Sequence, residues 1–389
     1  MNALLSFRGM ISFRALFGGL LGLFFALFLV ACDNKTPTEQ KTSAEKTTQT
    51  TEPSEEKVVR FYNWNNYIAR ETVKRFEDTY RIRLLEDYFS DHEEMLAKLA
   101  AGATGYDVMV PTGNVVETLI KQGTIQPIDK SRLKNLPQLN PAFLNMWFDP
   151  ENKYSVPYGY SLTIIGFNAE KIAELGLPTD TWALIFEPQH LEKIKGKITV
   201  MDSQRELFAA ALRYLGYSVN DDDEKHLQEA RDLILRAKPY WAAFNASSYI
   251  KELASGDIWV AHGYSCDMFQ AAQDAAAAKR PFTIASGLPK EGAVLAIDNM
   301  VIHKGAPHLD LAYDLIDFLI DKQSTAEFSN LTGSGSVNQE SMEMIIPEVR
   351  NNKAVFPDAE ILERLEMLKD YSSEKRRLLN RLWTEIKAN

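Results

Sequence analysis

Six aromatic and acidic side chains lie at the predicted ends of strands, where an α/β protein can present them to a ligand: Trp64, Tyr67, Glu206, Tyr264, Asp267 and Asp298. Carboxylates make charge-assisted hydrogen bonds to ammonium groups. Aromatic faces cover methylene groups and attract cations, at about 0.5–2 kcal/mol each. Amides such as those of Asn65 and Asn66 can satisfy further N–H donors. This set of residue types therefore suits an alkyl-ammonium ligand, which has charged ends and an apolar body.

Four of these residues also have a structural explanation that the sequence leaves open. Trp64 and Tyr67 could belong to the core or to its rim. Glu206 begins a predicted helix and could complement the helix dipole, and Asp267 could cap a helix. Asp298 differs because it lies inside an apolar strand, where an unpaired carboxylate is costly. It therefore needs a cationic partner, which either the protein or a ligand must supply.

Other kinds of chemistry find no support in the sequence. We find no nucleophile elbow, P-loop or GxGxxG motif, and the six histidines lack the spacing of metal ligands. The formal net charge of the 389 residues is −10. This charge argues against a nucleic acid partner, because phosphates attract Lys and Arg, and it is compatible with a cationic ligand. We therefore expect no catalytic residue, no metal and no cofactor.

The N-terminus has the pattern of an export signal. Residues 1–14 are polar and basic, and residues 15–31 are an apolar run that ends in Leu-Val-Ala before Cys32. The sequence Leu-Val-Ala-Cys resembles the lipobox of bacterial lipoproteins, which implies that residues 1–31 are a cleaved signal peptide and that Cys32 carries a lipid. Asp33 resembles the signal for retention in the inner membrane. An uncleaved signal anchor is the alternative, although the run is short for the ~20 residues of a spanning helix.

Residues 32–57 are predicted to be a lipid-anchored, disordered tether. Residues 34–57 contain no large apolar side chain, and such a segment cannot form a core. Its mean reach of about 25–30 Å would let the folded body contact a partner in the membrane. Met10 is a second candidate start of the chain, since it would leave a signal of more ordinary length.

From Val58 onward, strands and helices alternate, which predicts a parallel sheet flanked by helices. Ligands bind such sheets at the carboxyl ends of the strands, here the segments NWNNY and PTGN. A second α/β pattern follows an extended segment at 154–168, and a pair of strands at 282–302 leads back. This arrangement predicts two hinged lobes around a central cleft, the natural site for a small molecule. We predict that lobe 1 comprises 58–160 and 296–340, and that lobe 2 comprises 161–295 and 341–389.

Seven segments of the body match a known family in order and spacing. They are YNWNNYI, AKLAAGATGYDVMVP, GTIQPIDKSRL, FDPENKYSVPY, GYSCD, PKEGAVLAIDN and FPDAE. In these segments residues 58–389 resemble the periplasmic polyamine-binding proteins of bacterial ABC importers, the putrescine- and spermidine-binding family. The putrescine type is more similar than the spermidine type. The resemblance implies the two-lobed periplasmic solute-binding fold (type II).

The resemblance also implies a role for residues at matching positions. Trp64 and Tyr67 match the aromatic pair that follows the first strand in this family. Thr112 matches a small hydroxyl residue after the proline of the third strand. Glu206 and Asp298 match acidic positions that hold amines. The segment NWNNYI is then a wall of the ligand site, with aromatic rings for the chain and amides for the amine ends.

Other positions match the family only in part. Asp267 matches the acid of the putrescine-type GWAGD segment, but Tyr264 stands where the family has tryptophan. Ala296 and Ser334 replace family aromatics, and Asn66 replaces an acid. At about 1 kcal/mol or more for each lost contact, an unchanged ligand would bind about 10- to 1000-fold more weakly. The ligand could therefore differ, being bulkier or less charged, or the affinity could be modest.

The main hypothesis is a periplasmic solute-binding lipoprotein of an ABC importer. It would capture a diamine or polyamine in the interlobe cleft and deliver it, as a monomer anchored to the inner membrane through Cys32, to the permease. The alternative is an amine-sensing subunit that docks on a membrane signalling receptor. A third reading, an enzyme, is disfavoured. Within the main hypothesis, an amino-acid-derived cation, an opine or another small amine could be the ligand instead.

Overall fold

The structure, a computed structural model, describes residues 57–89 and 92–388. The strands of this part of the chain are β1 (Val58–Trp64), β2 (Arg83–Phe89), β3 (Val108–Met109), β4 (Ser155–Asn168), β5 (Ile198–Met201), β6 (Ala243–Asn245), β7 (Val260–Tyr264), β8 (Ile284–Gly287), β9 (Leu295–Ile302) and β10 (Gly335–Ser336). The predicted signal peptide, Cys32 and nearly all of the tether lie outside the described residues.

Helices connect most of these strands. The α-helices are α1 (Arg70–Tyr80), α2 (His92–Ala100), α3 (Gly113–Gln122), α4 (Ala169–Glu174), α5 (Ala183–Phe186), α6 (Pro188–Leu191), α7 (Gln204–Tyr214), α8 (Glu224–Ala237), α9 (Tyr249–Ser255), α10 (Ser265–Ala277), α11 (Leu309–Leu319), α12 (Lys322–Thr332), α13 (Pro347–Arg350), α14 (Ala359–Leu362) and α15 (Ser373–Ala388). Short 3-10 helices cover Lys130–Arg132, Leu136–Gln138, Pro141–Phe143, Pro150–Asn152, Glu192–Ile194, Lys238–Tyr240 and Gln339–Met344. Within the described residues, no helix has the length and apolar character needed to cross a bilayer.

Local sequence explains the elements that lead to the site. Helix α1 has an apolar stripe, and Phe76 is buried on it. Helix α3 ends at Gly123, whose φ of +65° suits glycine, and the Gly123 N–H bonds to the carbonyl groups of Ile120 and Leu119. The extended segment predicted at 154–168 is β4, in which all 14 residues are buried. A strand buried on both faces does not need polar residues at alternate positions, which fits the mostly apolar, aromatic and small residues of this segment.

The strands form one mixed sheet in the order β2-β1-β3-β9-β4-β7-β5-β6, and β8 and β10 pair with β4. Strands β2, β1 and β3 are parallel and form the first half-sheet. Strands β7, β5 and β6 are also parallel and form the second half-sheet. The antiparallel strands β9 and β4 join the two halves. The sheet therefore has two separate sets of parallel carboxyl ends, as the alternating sequence pattern predicts.

Strand β4 aligns residues from both halves through its register. Gly159 of β4 lies opposite Asp298 of β9, and Thr163 lies opposite Tyr264 of β7. Gly159 has a steric reason to be glycine, because a Cβ there would lie 2.3 Å from the ring of Phe328. The close packing of Phe328 on β4 therefore requires the smallest residue directly beside Asp298.

The hydrophobic core follows β4 across the sheet. The largest cluster of buried residues includes Phe61 of the first half-sheet and also Tyr249 and Met268, which lie in predicted lobe 2. A second cluster around Trp182 and Phe208 lies entirely in predicted lobe 2. Because the largest cluster continues through β4, it does not divide at residue 160, and the lobe boundaries stay a prediction.

Candidate ligand-binding site

Most of the predicted site residues lie at carboxyl ends of parallel strands. Trp64 is the last residue of β1, and Thr112 directly precedes α3 after β3. Glu206 lies in the first turn of α7, which follows β5, and Tyr264 is the last residue of β7. The antiparallel strand β9 contributes Asp298 from its interior. The two half-sheets thus contribute side chains from the edges at which α/β sheets bind ligands.

Asp298 is buried and is held by two hydroxyl groups. Tyr67 Oη donates a hydrogen bond to Asp298 Oδ2 at 2.6 Å, and Thr112 Oγ1 donates one to Asp298 Oδ1 at 2.5 Å. Only 7% of Asp298 is exposed. Burial raises the pKa of Asp298 above its usual value, although both hydroxyl bonds act in the opposite direction. Hydroxyl donors orient this carboxylate without neutralising its charge.

Glu206 is held in the same way on the other half of the sheet. Its Oε2 accepts a hydrogen bond from Thr163 Oγ1 at 2.7 Å, and only 6% of the residue is exposed. Burial raises the pKa of Glu206 to about 6, while the Thr163 bond and the charge of Arg205 lower it. A helix-dipole role alone does not need this burial, because charges at helix N-termini are stabilised at the surface as well.

Asp267, in the first turn of α10, also accepts from a hydroxyl group. Tyr249 Oη donates a hydrogen bond to Asp267 Oδ2, and the Cys266 thiol lies 3.8 Å from Asp267 Oδ1. Burial raises the pKa of Asp267, and both hydrogen bonds oppose that shift. Asp267 does not cap α10, because Tyr264 occupies the N-cap position of that helix.

Tyr264 lies among the three acids. Burial raises the pKa of Tyr264 well above its usual value, and the charges of Glu206, Asp267 and Asp298 raise it further. None of these three carboxylates forms an ion pair with Lys, Arg or His in the described part of the chain. The site therefore concentrates negative charge around an aromatic ring, and its counter-charge must come from elsewhere.

Trp64 and Tyr67, the predicted aromatic wall of the site, both pack against other rings. Tyr67 packs edge-on against Phe328 at 4.9 Å and against Tyr158 at 5.9 Å between ring centroids. Trp64 packs on Phe89 at 4.3 Å and edge-on against His92 at 4.9 Å. The rings of Trp64 and Tyr67 thus each pack against two other rings, which restricts their orientation.

The remaining predicted residues lie in different surroundings. Asn65 and Asn66 are exposed in the turn after β1, and Asn66 has a φ of +54°, a conformation that asparagine tolerates. Ser334 is fully buried just before β10. Its side chain lowers the pKa of Tyr67, against the larger upward effect of burial. Ala296 of β9 pairs with Ser161 of β4. The structure therefore places the two amides outside the buried cluster and Ser334 beside it.

Three residues that support the site were not predicted, whereas Tyr67 and Thr112, which hold Asp298, were predicted as site residues. Thr163, Tyr249 and His92 have no local motif, and their partners are far away in the sequence. Thr163 is 43 residues from Glu206, and Tyr249 is 18 residues from Asp267. His92 Nε2 accepts the Thr112 backbone N–H at 3.2 Å, a contact that links it to the same strand end. The only local sign that Thr163 could hold an acid was its hydroxyl group within the buried strand β4.

The described residues contain no group of three or more His, Cys, Asp or Glu side chains suited to a metal ion.

A family model described as bacterial extracellular solute-binding protein matches residues 71–357, well over half of the chain. The chain belongs to this family. The solute-binding protein therefore shares its fold with solute-binding proteins of the two-lobed type, which confirms the predicted fold class.

Named relatives give the comparison more detail. The solute-binding protein is 54% identical over 326 residues to the putrescine/cadaverine-binding protein of Pseudomonas aeruginosa, covering 84% of this chain and 92% of that relative. It is similar to the spermidine/putrescine ABC transporter substrate-binding protein PotD of Streptococcus pneumoniae, with a TM-score of 0.77, 25% identity and coverage of 85% and 99% of the two chains. It is also similar to the Tp0655 (TpPotD) lipoprotein of Treponema pallidum, with a TM-score of 0.74, 28% identity and coverage of 85% and 100%. The predicted resemblance to the polyamine-binding proteins is confirmed, and the comparisons give the alternative of a signalling subunit no support.

Proposed function

We propose that this protein is the solute-binding lipoprotein of an ABC importer, and that it binds a diamine or polyamine in the cleft between its lobes. One observation carries the proposal. The charges of Glu206, Asp267 and Asp298 all act on Tyr264, and each of these carboxylates accepts a hydrogen bond from a hydroxyl group instead of pairing with a protein cation. A ligand with several ammonium groups supplies the missing positive charge.

The proposed roles follow from these contacts. Asp298, preorganised by Tyr67 and Thr112, binds one ammonium group, and Asp267 and Glu206 bind others. The rings of Trp64, Tyr67 and Tyr264 cover the methylene chain between the charges. Because the hydroxyl groups already orient the carboxylates, the ligand does not have to order them on binding.

The relatives support the same ligand class. The 54%-identical protein of Pseudomonas aeruginosa is named for putrescine and cadaverine, and the Streptococcus pneumoniae protein for spermidine and putrescine in an ABC transporter. Both of these relatives are named as binding proteins. We therefore assign this chain no catalytic step and propose that it delivers the bound amine to the permease.

Calorimetric titration of the full-length protein in detergent, after unfolding and refolding to remove bound ligand, tests the function. Putrescine, cadaverine, spermidine, norspermidine and agmatine would be titrated separately. We expect micromolar or tighter binding of at least one diamine. 1-Aminobutane, which has a single ammonium group, is the matched control and should bind much more weakly. Folded protein that binds none of the five amines would refute the proposed ligand class.

We further propose that the mature protein is anchored to the periplasmic face of the inner membrane through Cys32, as a monomer. The lipobox-like sequence before Cys32 and the apolar-poor segment after it support this proposal, and the similar Treponema pallidum protein is named a lipoprotein. We expect Cys32→Ser to shift the protein from the membrane fraction to the soluble periplasmic fraction or to stop its processing. Cys266→Ser is the control, and an unchanged membrane location of Cys32→Ser would refute the anchor.

A further inference from the structure

We infer that residues 364–369, here called the strap, close the Trp64 side of the cleft and set the rate at which the ligand leaves. The inference rests on the proposed function and adds a positioning element to it. The strap follows α14 and contains the sequence RLEMLK. Its Glu366 forms a β-bridge with Val294, and the strap contacts the element of the site that carries Glu206, the strand that carries Asp298, and the first half-sheet.

The strap is bonded to the strand that carries Asp298. The Glu366 N–H donates to the carbonyl of Ala293 at 3.1 Å, and the Leu295 N–H donates to the carbonyl of Glu366 at 3.0 Å. These bonds extend the sheet by a parallel bridge between Val294 and Glu366. Strand β9 begins at Leu295, so that the strap is fixed three residues before Asp298.

The strap is also bonded to the region around α7, which carries Glu206. The Asn220 side chain donates to the Met367 carbonyl and accepts from the Lys369 N–H, both at 2.8 Å. Arg205, next to Glu206, donates to the Lys369 carbonyl at 3.1 Å. These bonds fix both ends of a three-residue stretch of strap backbone to the second half of the molecule.

An ion pair strengthens the same attachment. Glu366 Oε1 lies 2.8 Å from Arg213 Nη1 of α7, and its other oxygen accepts from the Ser218 hydroxyl group. The side chains of Arg213 and Glu366 are only 17% and 30% exposed. An ion pair of this kind holds its geometry better than a fully exposed one. The strap should therefore move together with α7 when the cleft opens.

Two strap side chains reach the first half-sheet instead. Met367 packs against the cluster that contains Tyr62 and Phe148, the same cluster against which Trp64 packs. Lys369 Nζ lies 5.8 Å from the centre of the Trp147 ring. The strap is thus hydrogen-bonded to the second half and only packed against the first. Packing contacts of this kind separate when a cleft opens, whereas the hydrogen-bonded anchor stays intact.

The test measures putrescine association and dissociation rates by stopped-flow on the full-length protein. Met367→Ala removes the packing contact, and Asn220→Ala releases the backbone anchor. We expect each variant to release putrescine about tenfold faster, with an association rate within about twofold of wild type, because closing contacts act on dissociation. Met367→Leu should restore slow release. The matched control is Glu360→Ala, which removes the exposed ion pair between Glu360 of α14 and Arg364, the first residue of the strap, and should leave both rates unchanged.

The outcomes separate this inference from the proposed function. If wild-type protein binds putrescine and the two strap variants release it at the wild-type rate, the strap inference is wrong. Lower melting temperatures with unchanged release would also refute it, because they would assign the strap a purely structural role. If folded wild-type protein binds none of the five amines, the proposed function fails and the strap inference fails with it.

Discussion

Replacing Asp298 with asparagine is expected to weaken putrescine binding about 100-fold, measured by calorimetric titration at pH 8. Asp298 supplies a buried negative charge whose two oxygens are already oriented by Tyr67 and Thr112. Removing one partner of a buried, hydrogen-bonded charge pair costs about 2–5 kcal/mol, and about 1.4 kcal/mol corresponds to a factor of ten. Hydroxyl groups both donate and accept, so Tyr67 and Thr112 can still bond to the amide.

The same substitution should not destabilise the ligand-free protein. A buried carboxylate that has no cationic partner costs free energy of folding, so its neutral isostere is expected to raise or preserve the melting temperature. Asp310→Asn is the matched control, because Asp310 is 88% exposed in its pair with Arg132, and it should leave affinity unchanged. An Asp298→Asn protein that is folded and binds putrescine as tightly as wild type would remove Asp298 from the site.

The affinity for putrescine is expected to fall about tenfold between pH 7 and pH 5 through Glu206 alone. Burial raises the pKa of Glu206 to about 6 in the ligand-free protein, and a bound ammonium group stabilises the charged form and lowers that pKa. Binding then requires release of the proton that Glu206 holds below pH 6. Alkyl-ammonium groups stay protonated over this range, so the change belongs to the protein. Asp267 and Asp298, whose pKa values are also raised, act in the same direction.

Titrations at several pH values check this expectation, with Glu206→Gln as the control. This variant should bind more weakly at pH 8 and lose the step in affinity near pH 6. The ligand-free stability should have the opposite pH dependence. Because the pKa of Glu206 is raised from 4.5 to about 6 on folding, its stabilising contribution is full below pH 4.5 and is lost as the pH rises through 6. Equal affinities at pH 5 and pH 8 would show that Glu206 does not bind the amine.

The sequence alone determined the class of fold and predicted the chemistry of the site. Alternation of strands and helices predicted the parallel half-sheets, and the extended segment predicted at 154–168 is the crossing strand β4. Both patterns are local, because burial on one or two faces dictates residue types a few positions apart. Asp298 is an acid in the apolar strand β9, and this local context alone indicated that it needs a cationic partner.

Only the tertiary structure decided which groups hold these acids. Thr163 and Glu206 meet across 43 residues, and Tyr67 and Asp298 across 231 residues. Such contacts leave no local periodicity, since each depends on how the crossing strands bring the two half-sheets into register. The same limit applies to the strap, where Asn220 bonds to backbone groups 147 and 149 residues away. Residue types reveal the need for a partner, whereas the long-range register of the sheet selects which residue supplies it.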